Sequence, residues 1–336
     1  MNDQAAEAPP PPPARGLLRR VFGVDEVGVV VVLVALVLGI GAFHPDFLDR
    51  AQLIDVVRQA AFVGVLACGM TYLLAMRELD LSVGSTYALS LIAGAMLMRG
   101  GVNPWLAALA GIGVGALLGL VNGLLCNVLR IPSIIATLGT LSVFRGLGLA
   151  LSEGRQVAGL PRDDGFFAVV GGDLLGVPTS IWVLLAVGAV LTVVFKATPF
   201  GFRVRAIGSN PDAARFSGIS IPRVRLQVLV LSGALAGVAG VLTLGFFASG
   251  QPTIGQGYEL QAIAAAIIGG TPLRGGSGTV WGSLLGTVIL GTVASGLVYF
   301  GVPINWSLFA TGIVILLAVA LDALLRRRGT AADSTL

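Results

Sequence analysis

Apolar positions in this chain do not alternate with polar ones at helix or strand spacing. They gather into long unbroken runs at about 27–43, 56–76, 82–98, 104–129, 131–151, 179–196, 224–248, 258–270, 280–299 and 304–325. A run of about 20 apolar residues matches the hydrocarbon thickness of a bilayer, so the pattern predicts about ten membrane-spanning helices joined by short loops. The eighth run is too short to span comfortably and reads as broken or re-entrant.

Arginine placement orients the runs, because Lys and Arg accumulate in short cytoplasmic loops. With the N-terminus inside, Arg77, Arg130, the group from Lys196 to Arg225, Arg274 and Arg326 to Arg328 all fall on the cytoplasmic side. Arg50, Arg99, Arg155 and Arg162 fall outside, mostly in acidic company at Asp49, Glu153, Asp163 and Asp164. Both termini are therefore expected in the cytoplasm. The division predicted is a disordered, Pro-rich tail over 1–26, a transmembrane domain over 27–325 with a cytoplasmic loop at 197–223, and a second tail over 326–336.

Glycine spacing adds architecture. Gly111, Gly115, Gly119 and Gly123 in the fourth run, and Gly278, Gly282 and Gly286 in the ninth, lay bare stripes along one face where another backbone can approach. The two striped runs lie five apart, and Gly123 to Gly139 is echoed by Gly296 to Gly312. Since five is odd, such halves would be inverted relative to each other, as in many transporters.

Composition agrees with a membrane protein: 55% of residues are hydrophobic and 11% charged, against about 25% charged in soluble domains, and mean hydropathy is +0.92. The net charge of +4 lies between spans and forms no basic face for nucleic acid. Cys68 and Cys126 stand singly in apolar runs, without metal-ligand spacing, and read as small buried side chains. Arg19 and Arg20 before the first run are no export signal, since no small-residue cleavage site follows.

Catalytic chemistry has little to stand on. The single histidine, His44, precedes Pro45 at the end of the first run, and the spans hold no nucleophile and base together. Neither a metal site nor a cofactor is expected. The segment from Gly270 to Ser277 has the spacing of a phosphate-binding GxxxxGK[ST] loop, but Gly276 takes the place of the lysine that would meet the phosphates. Its glycines suit a tight turn better.

Two polar stretches stand out. RELDLSVGS, Arg77 to Ser85, opens the third run, where Asp80 and Ser82 can satisfy free N–H groups and sit at the positive end of a helix dipole. One reading is capping alone; the other is that a capped start near the membrane interior also leaves polar groups to line a passage. The other is the loop 197–223, with four arginines, Arg203, Arg205, Arg215 and Arg223, against one acid, Asp212. Its interior predicts a short helix capped by Ser209 or Asn210, with Pro211 in first position and Gly218 ending it. Arg145, inside the fifth run, is expected near the outer end of its helix, snorkelling to the interface.

GFRVRAIGSNPDAARFSGI, ELDLSVGS, NVLRIPSIIATLGT, AIIGGTPLRGGSGTVWGSLLG and the closing ILLAVALD, in that order, resemble the membrane permease subunit of bacterial ABC importers of the ribose, xylose and galactoside type. The resemblance covers residues from about 50 to 325. It implies an all-α integral protein of the bacterial inner membrane that imports a monosaccharide, paired with an identical or related permease. A cytoplasmic ATPase subunit would supply energy and a periplasmic or extracellular sugar-binding protein the cargo. By the same resemblance Arg205, Gly208, Asn210, Ala213, Ala214 and Gly218 match the coupling helix that docks into the ATPase. Asp80, Ser82 and Gly84 match the DLSVG signature beside the pathway, and Asn122, Thr137, Thr140, Ser142 and Gln261 are polar candidates for its wall. The alternatives are a branched-chain amino acid permease of the same class and, with almost no acid inside a span to support it, an ion-coupled secondary transporter.

Overall fold

A computed structural model describes residues 24–303 and, beyond them, positions 306, 309, 312, 313 and 316. The last predicted run, 304–325, and both predicted tails lie almost wholly outside the described residues.

Among the described residues, nine of the ten runs are seen as helices along their length. The first is α1, Val24–Phe43, joined by a 3₁₀ turn at Pro45–Leu48 to α2, Arg50–Ala75. Next come α3, Val83–Arg99, α4, Pro104–Val128, and α5, Ser133–Leu151. A short helix α6, Gly165–Val170, and a two-stranded hairpin, β1 Asp173–Leu174 against β2 Val177–Pro178, precede α7, Thr179–Ala197. The chain ends its described part with α8, Pro199–Ser209, α9, Pro211–Phe216, α10, Ile221–Phe247, α11, Tyr258–Ile268, and α12, Val280–Tyr299. Six of these, α2, α4, α5, α7, α10 and α12, are long and apolar enough to cross a membrane, and α1, α3 and α11 offer shorter apolar stretches. The chain is thus an all-α membrane protein.

α2 begins six residues earlier than the apolar run, because Asp55 and Arg58 ride on its first turns. α8 lies where the sequence reading placed plain loop. Thr198 caps it by accepting from the Gly201 N–H at 3.3 Å, Pro199 occupies its first position, and its buried side chains Val204 and Ile207 fall at i, i+3 spacing. α9 has the expected form: Asn210 accepts from the N–H groups of Asp212 and Ala213 at 3.1 and 3.0 Å, and Gly218 follows with φ +80°.

α10 and α2 form the centre, with 78% and 67% of their apolar windows buried, whereas α5 and α7 are each only 28% buried and present apolar flanks outward. Both glycine stripes work as close-contact faces. A Cβ at Gly115 or Gly119 would strike the carbonyls of Gly233 and Leu229 on α10, so α4 and α10 pack backbone to backbone. On α12, a Cβ at Gly282 or Gly286 would strike the Gly269 and Ala265 carbonyls at and just beyond the end of α11. Gly139, by contrast, faces open space, so the sixteen-residue echo has no packing counterpart there.

Each long central helix is followed by an unwound segment and a short helix. After α2, residues 76–82 lead back among the helices to α3; after α10, residues 248–257 do the same for α11. The two short helices start beside each other: a Cβ on Gly84 would run into the Gly255 carbonyl and the Glu259 carboxylate, and the Tyr87 and Tyr258 rings lie 5.4 Å apart. Only a residue without a side chain at position 84 lets the two starts approach this closely.

Candidate functional site

The segment 76–82 ties the short helices to one face of the molecule. Arg77, with φ 64°, points its guanidinium at the C-terminus of α8, where Nε donates to the Gly208 carbonyl at 2.6 Å and Nη2 to the Ser209 carbonyl at 3.0 Å. Cationic donors on the last carbonyls of a helix complement its negative end. Glu78 pairs with Arg225 in the second turn of α10 at 2.6 Å, with little of either side chain exposed. Gly276 donates its N–H to the last carbonyl of α2, that of Ala75, at 2.8 Å. Gly208 sits so tightly in this knot that a Cβ would overlap the Ala75 carbonyl and lie 2.5 Å from the Gly276 nitrogen. Gly275 and Gly276 carry φ +76° and +85°, so the sequence that mimics a phosphate loop is a turn holding α2 and α8 together.

Deeper in, the polar residues of the DLSVG stretch form one buried network. Asp80 Oδ1 accepts from the Ser82 N–H at 2.9 Å and the Ser82 hydroxyl at 2.6 Å, while Oδ2 accepts from Ser232 of α10 at 3.3 Å. Asn122 of α4 donates to Ser82 Oγ at 2.7 Å and accepts from Thr140 of α5 at the same distance. Thr137 of α5 accepts from the Leu81 N–H at 3.0 Å, and Ser133 from the Leu79 N–H at 3.2 Å. All of Asp80, Ser82, Asn122, Thr137 and Thr140 are buried. In a low-dielectric interior such bonds are strong and an unpaired member is costly, so the unwound backbone is pinned to α4, α5 and α10 at once.

Asp80 and Ser82, taken from the DLSVG resemblance, and Asn122, Thr137 and Thr140, taken from their polarity within apolar runs, come together in one network, with Gly84 one turn on against the 255–259 segment. The coupling candidates divide. Ala213 is exposed and Ala214 buried, Asn210 caps α9 and Gly218 ends it. Arg205 folds inward, donating to the Phe195 carbonyl at the end of α7 with its guanidinium 5.1 Å over the Phe195 ring. The outward surface of α8 and α9 is instead made by Asp212, Ala213, Arg215, Phe202 and a Phe216 left 93% exposed. Neither phenylalanine was singled out from sequence; an aromatic inside a four-arginine polar loop was the available signal.

Arg145 does not snorkel. Its Nη1 donates to the carbonyls of Ile254 at 2.8 Å and Pro252 at 3.3 Å, which fastens the second unwound segment to α5. Gly250 and Val157 exchange backbone bonds of 2.7 and 2.9 Å on the same side. At the opposite end from Arg77, Arg58 of α2 bonds Asp173 of the hairpin at 3.2 Å and Asp55 at 3.4 Å, with its guanidinium 5.3 Å over Phe246.

Two cavities lie on that side. One of about 430 Å³ is bounded by α2, α11 and α12 and includes Gln52, Gln59, Tyr258, Gln261 and Ser295; another of about 410 Å³ includes Asp55, Arg58, Gln59, Tyr258 and Phe246. Of the candidates for a passage wall, Gln261 lines a cavity, whereas the Asp80 network is packed behind the helices. Among the described residues no group of three or more His, Cys, Asp or Glu side chains is arranged to hold a metal.

Residues 52–319 match the family model described as branched-chain amino acid transport system / permease component. The chain is 40% identical over 298 residues to the ribose import permease protein RbsC of Bacillus subtilis, covering 89% of this chain and 92% of that protein. It is 34% identical over 305 residues to the D-allose transport system permease protein AlsC of Escherichia coli, covering 90% and 93%. With the L-arabinose transport system permease protein AraH of Escherichia coli the identity is 33% over 298 residues, covering 89% and 90%. No solved structure gave a significant match. The match along nearly the whole length, and apolar helices suited to a membrane, show that the chain belongs to the permease family of bacterial ABC sugar importers, membrane subunits that leave ATP hydrolysis to a separate chain.

Proposed function

We propose that this permease passes a monosaccharide, a pentose, hexose or related polyol, inward through the bacterial inner membrane, moved by an ATPase docked on α8 and α9. The observation that carries the reading is the Arg77 connection. The exposed helix α9 follows α8 across the single residue Asn210, the C-terminus of α8 is held by Arg77, and five residues after Arg77 the same segment enters the buried network at Ser82. A displacement of α8 and α9 therefore has a hydrogen-bonded route to the start of α3 and, through the Gly84 contact, to α11.

Under this reading the face with Arg77, Arg130, Arg225 and the α8–α9 pair is cytoplasmic, and the chain makes ten spans with both termini inside. The two halves form inverted five-helix repeats. In support, α2 and α10 are each followed by an unwound segment and a short helix, and each half holds a glycine-striped helix against the neighbouring backbone. Discontinuous helices meeting near the middle of the membrane are common in transporters built this way. Two such permeases, identical or related, flank the passage, with the outward apolar sides of α5 and α7 against lipid or the second permease. A sugar-binding protein delivers cargo to the face that carries α6 and the hairpin.

Asp80, Ser82, Asn122, Thr137 and Thr140 act on the passage by fixing where α3 begins, and Gly84 by letting the two short helices touch. Ala213 and Ala214 give α9 a slim profile for a cleft in the ATPase, Asn210 and Gly218 set its ends, and Arg205 and Gly208 hold α8 to the membrane domain. The relatives named for ribose, allose and arabinose favour a sugar over a branched-chain amino acid. The test is uptake by proteoliposomes holding the permease with its ATPase and binding protein. Labelled D-ribose, D-allose or L-arabinose should accumulate only with ATP and all subunits, and L-leucine should not; leucine uptake in place of sugar would overturn the reading.

A further inference from the structure

Gln59 and Tyr258 are the two residues shared by both cavities, so the spaces of about 430 and 410 Å³ adjoin across this pair, with Gln261 one helical turn beyond Tyr258. None of the Gln59, Tyr258 and Gln261 side chains makes a hydrogen bond among the described residues, while neighbouring Gln52 is already spent on Ser295 at 2.9 Å. Gln59 is exposed and Tyr258 and Gln261 are half-buried, so two amides and a phenol on facing helices α2 and α11 turn free hydrogen-bonding groups toward the cavities.

The charged neighbours are paired with one another. Arg58 gives its terminal nitrogens to Asp55 and Asp173 and keeps one buried Nε–H without a partner. What the junction offers is therefore neutral donors and acceptors beside aromatic faces, those of Tyr258 and Phe246. Amides present a donor and an acceptor side by side, which suits adjacent hydroxyls, and aromatic faces suit the C–H side of a sugar ring. A free amino acid would ask for a carboxylate and an ammonium partner with charge to spare.

We propose that Gln59, Tyr258 and Gln261 form a transit site for a neutral, polyhydroxylated monosaccharide at the junction of the two cavities, on the wall that one permease contributes to the passage. The site rests on the reading of this chain as a saccharide permease. Unlike charged groups, amides and a phenol hold the sugar weakly enough for release. Because the Tyr258 ring also meets Tyr87 at the point where α3 and α11 start, movement at either start reshapes the site.

The complete complex of permease, ATPase and binding protein in proteoliposomes tests this with labelled D-ribose, D-allose and L-arabinose as probes. The double variant Gln59→Leu/Gln261→Leu should lower uptake of the transported sugar about tenfold or more while ATP hydrolysis stimulated by loaded binding protein stays within about twofold. Tyr258→Phe, which removes one oxygen, should lower uptake about threefold to tenfold and shrink the preference for the sugar over its deoxy analogue. Uptake per ATP unchanged in the double variant, or the deoxy preference unchanged in Tyr258→Phe, would overturn the site. If the double variant fails to reach the membrane, Tyr258→Phe and Gln59→Asn decide by the same preference. A wild-type complex that carries none of the three sugars would instead remove the saccharide reading itself.

Discussion

Arg77 Nε lies 2.6 Å from the carbonyl oxygen of Gly208, so a residue two past the end of α2 also closes the end of α8. A helix pair on the surface and an unwound segment in the interior are thereby one mechanical unit. Glu78 extends it to α10 through Arg225, and Asp80 and Ser82 extend it to α4 and α10.

The two alanines of α9 should behave differently. Ala213→Glu, on the exposed side, should leave membrane level and thermal stability near wild type while abolishing ATP-driven uptake. Ala214→Glu buries a charge and should lower stability by several kcal/mol. Uptake measured beside a thermal melt of the purified permease checks both; normal uptake by Ala213→Glu would remove the docking assignment.

Asp80→Ala should cost about 1–3 kcal/mol, since the Ser82 and Ser232 donors lose their acceptor in a buried site. Uptake should fall further than the amount of protein in the membrane. Asp80→Asn keeps an acceptor oxygen and should lie between Ala and wild type. Equal losses of uptake and membrane level in the Ala variant would reduce the network to a capping role.

Gly119→Val should separate α4 from α10, because its side chain would enter the Leu229 backbone. A loss of about 3 kcal/mol or more is expected, as for overpacked cores with no room to relax. Gly139→Ala, facing open space, should be neutral or slightly stabilising through helix propensity. A thermal melt of the two variants in the same detergent separates them.

Arg58→Gln should loosen the hairpin, removing the bond to Asp173 and the stacking on Phe246. The pair is partly exposed, so the stability change should stay near 1 kcal/mol. Protease cutting at the 173–178 turn should rise severalfold, and high salt should shift wild type the same way.

The apolar helices were legible because a bilayer demands about 20 apolar residues whatever the fold, and the stripes because close backbones demand glycine. α9 was legible too, since Asn210, Pro211 and Gly218 each carry a local preference for their place. α8 was hidden by its arginines, which read as solvated loop until Thr198 and Pro199 are taken together as a cap and first turn. The inward turn of Arg205 onto Phe195, and the hold of Arg145 on Pro252 and Ile254, were not readable from one sequence. Both depend on carbonyls left free where another helix ends or unwinds, and those appear only once helices are packed.

The central claim is that force reaches the membrane interior through Arg77. Its most direct measurement is sugar taken up per ATP hydrolysed by the full complex carrying Arg77→Met, which keeps the chain length but removes the donors to Gly208 and Ser209. The account predicts that hydrolysis persists within about threefold while uptake per ATP falls at least tenfold, with a thermal melt close to wild type. An unchanged ratio in a variant that folds and hydrolyses normally would contradict it.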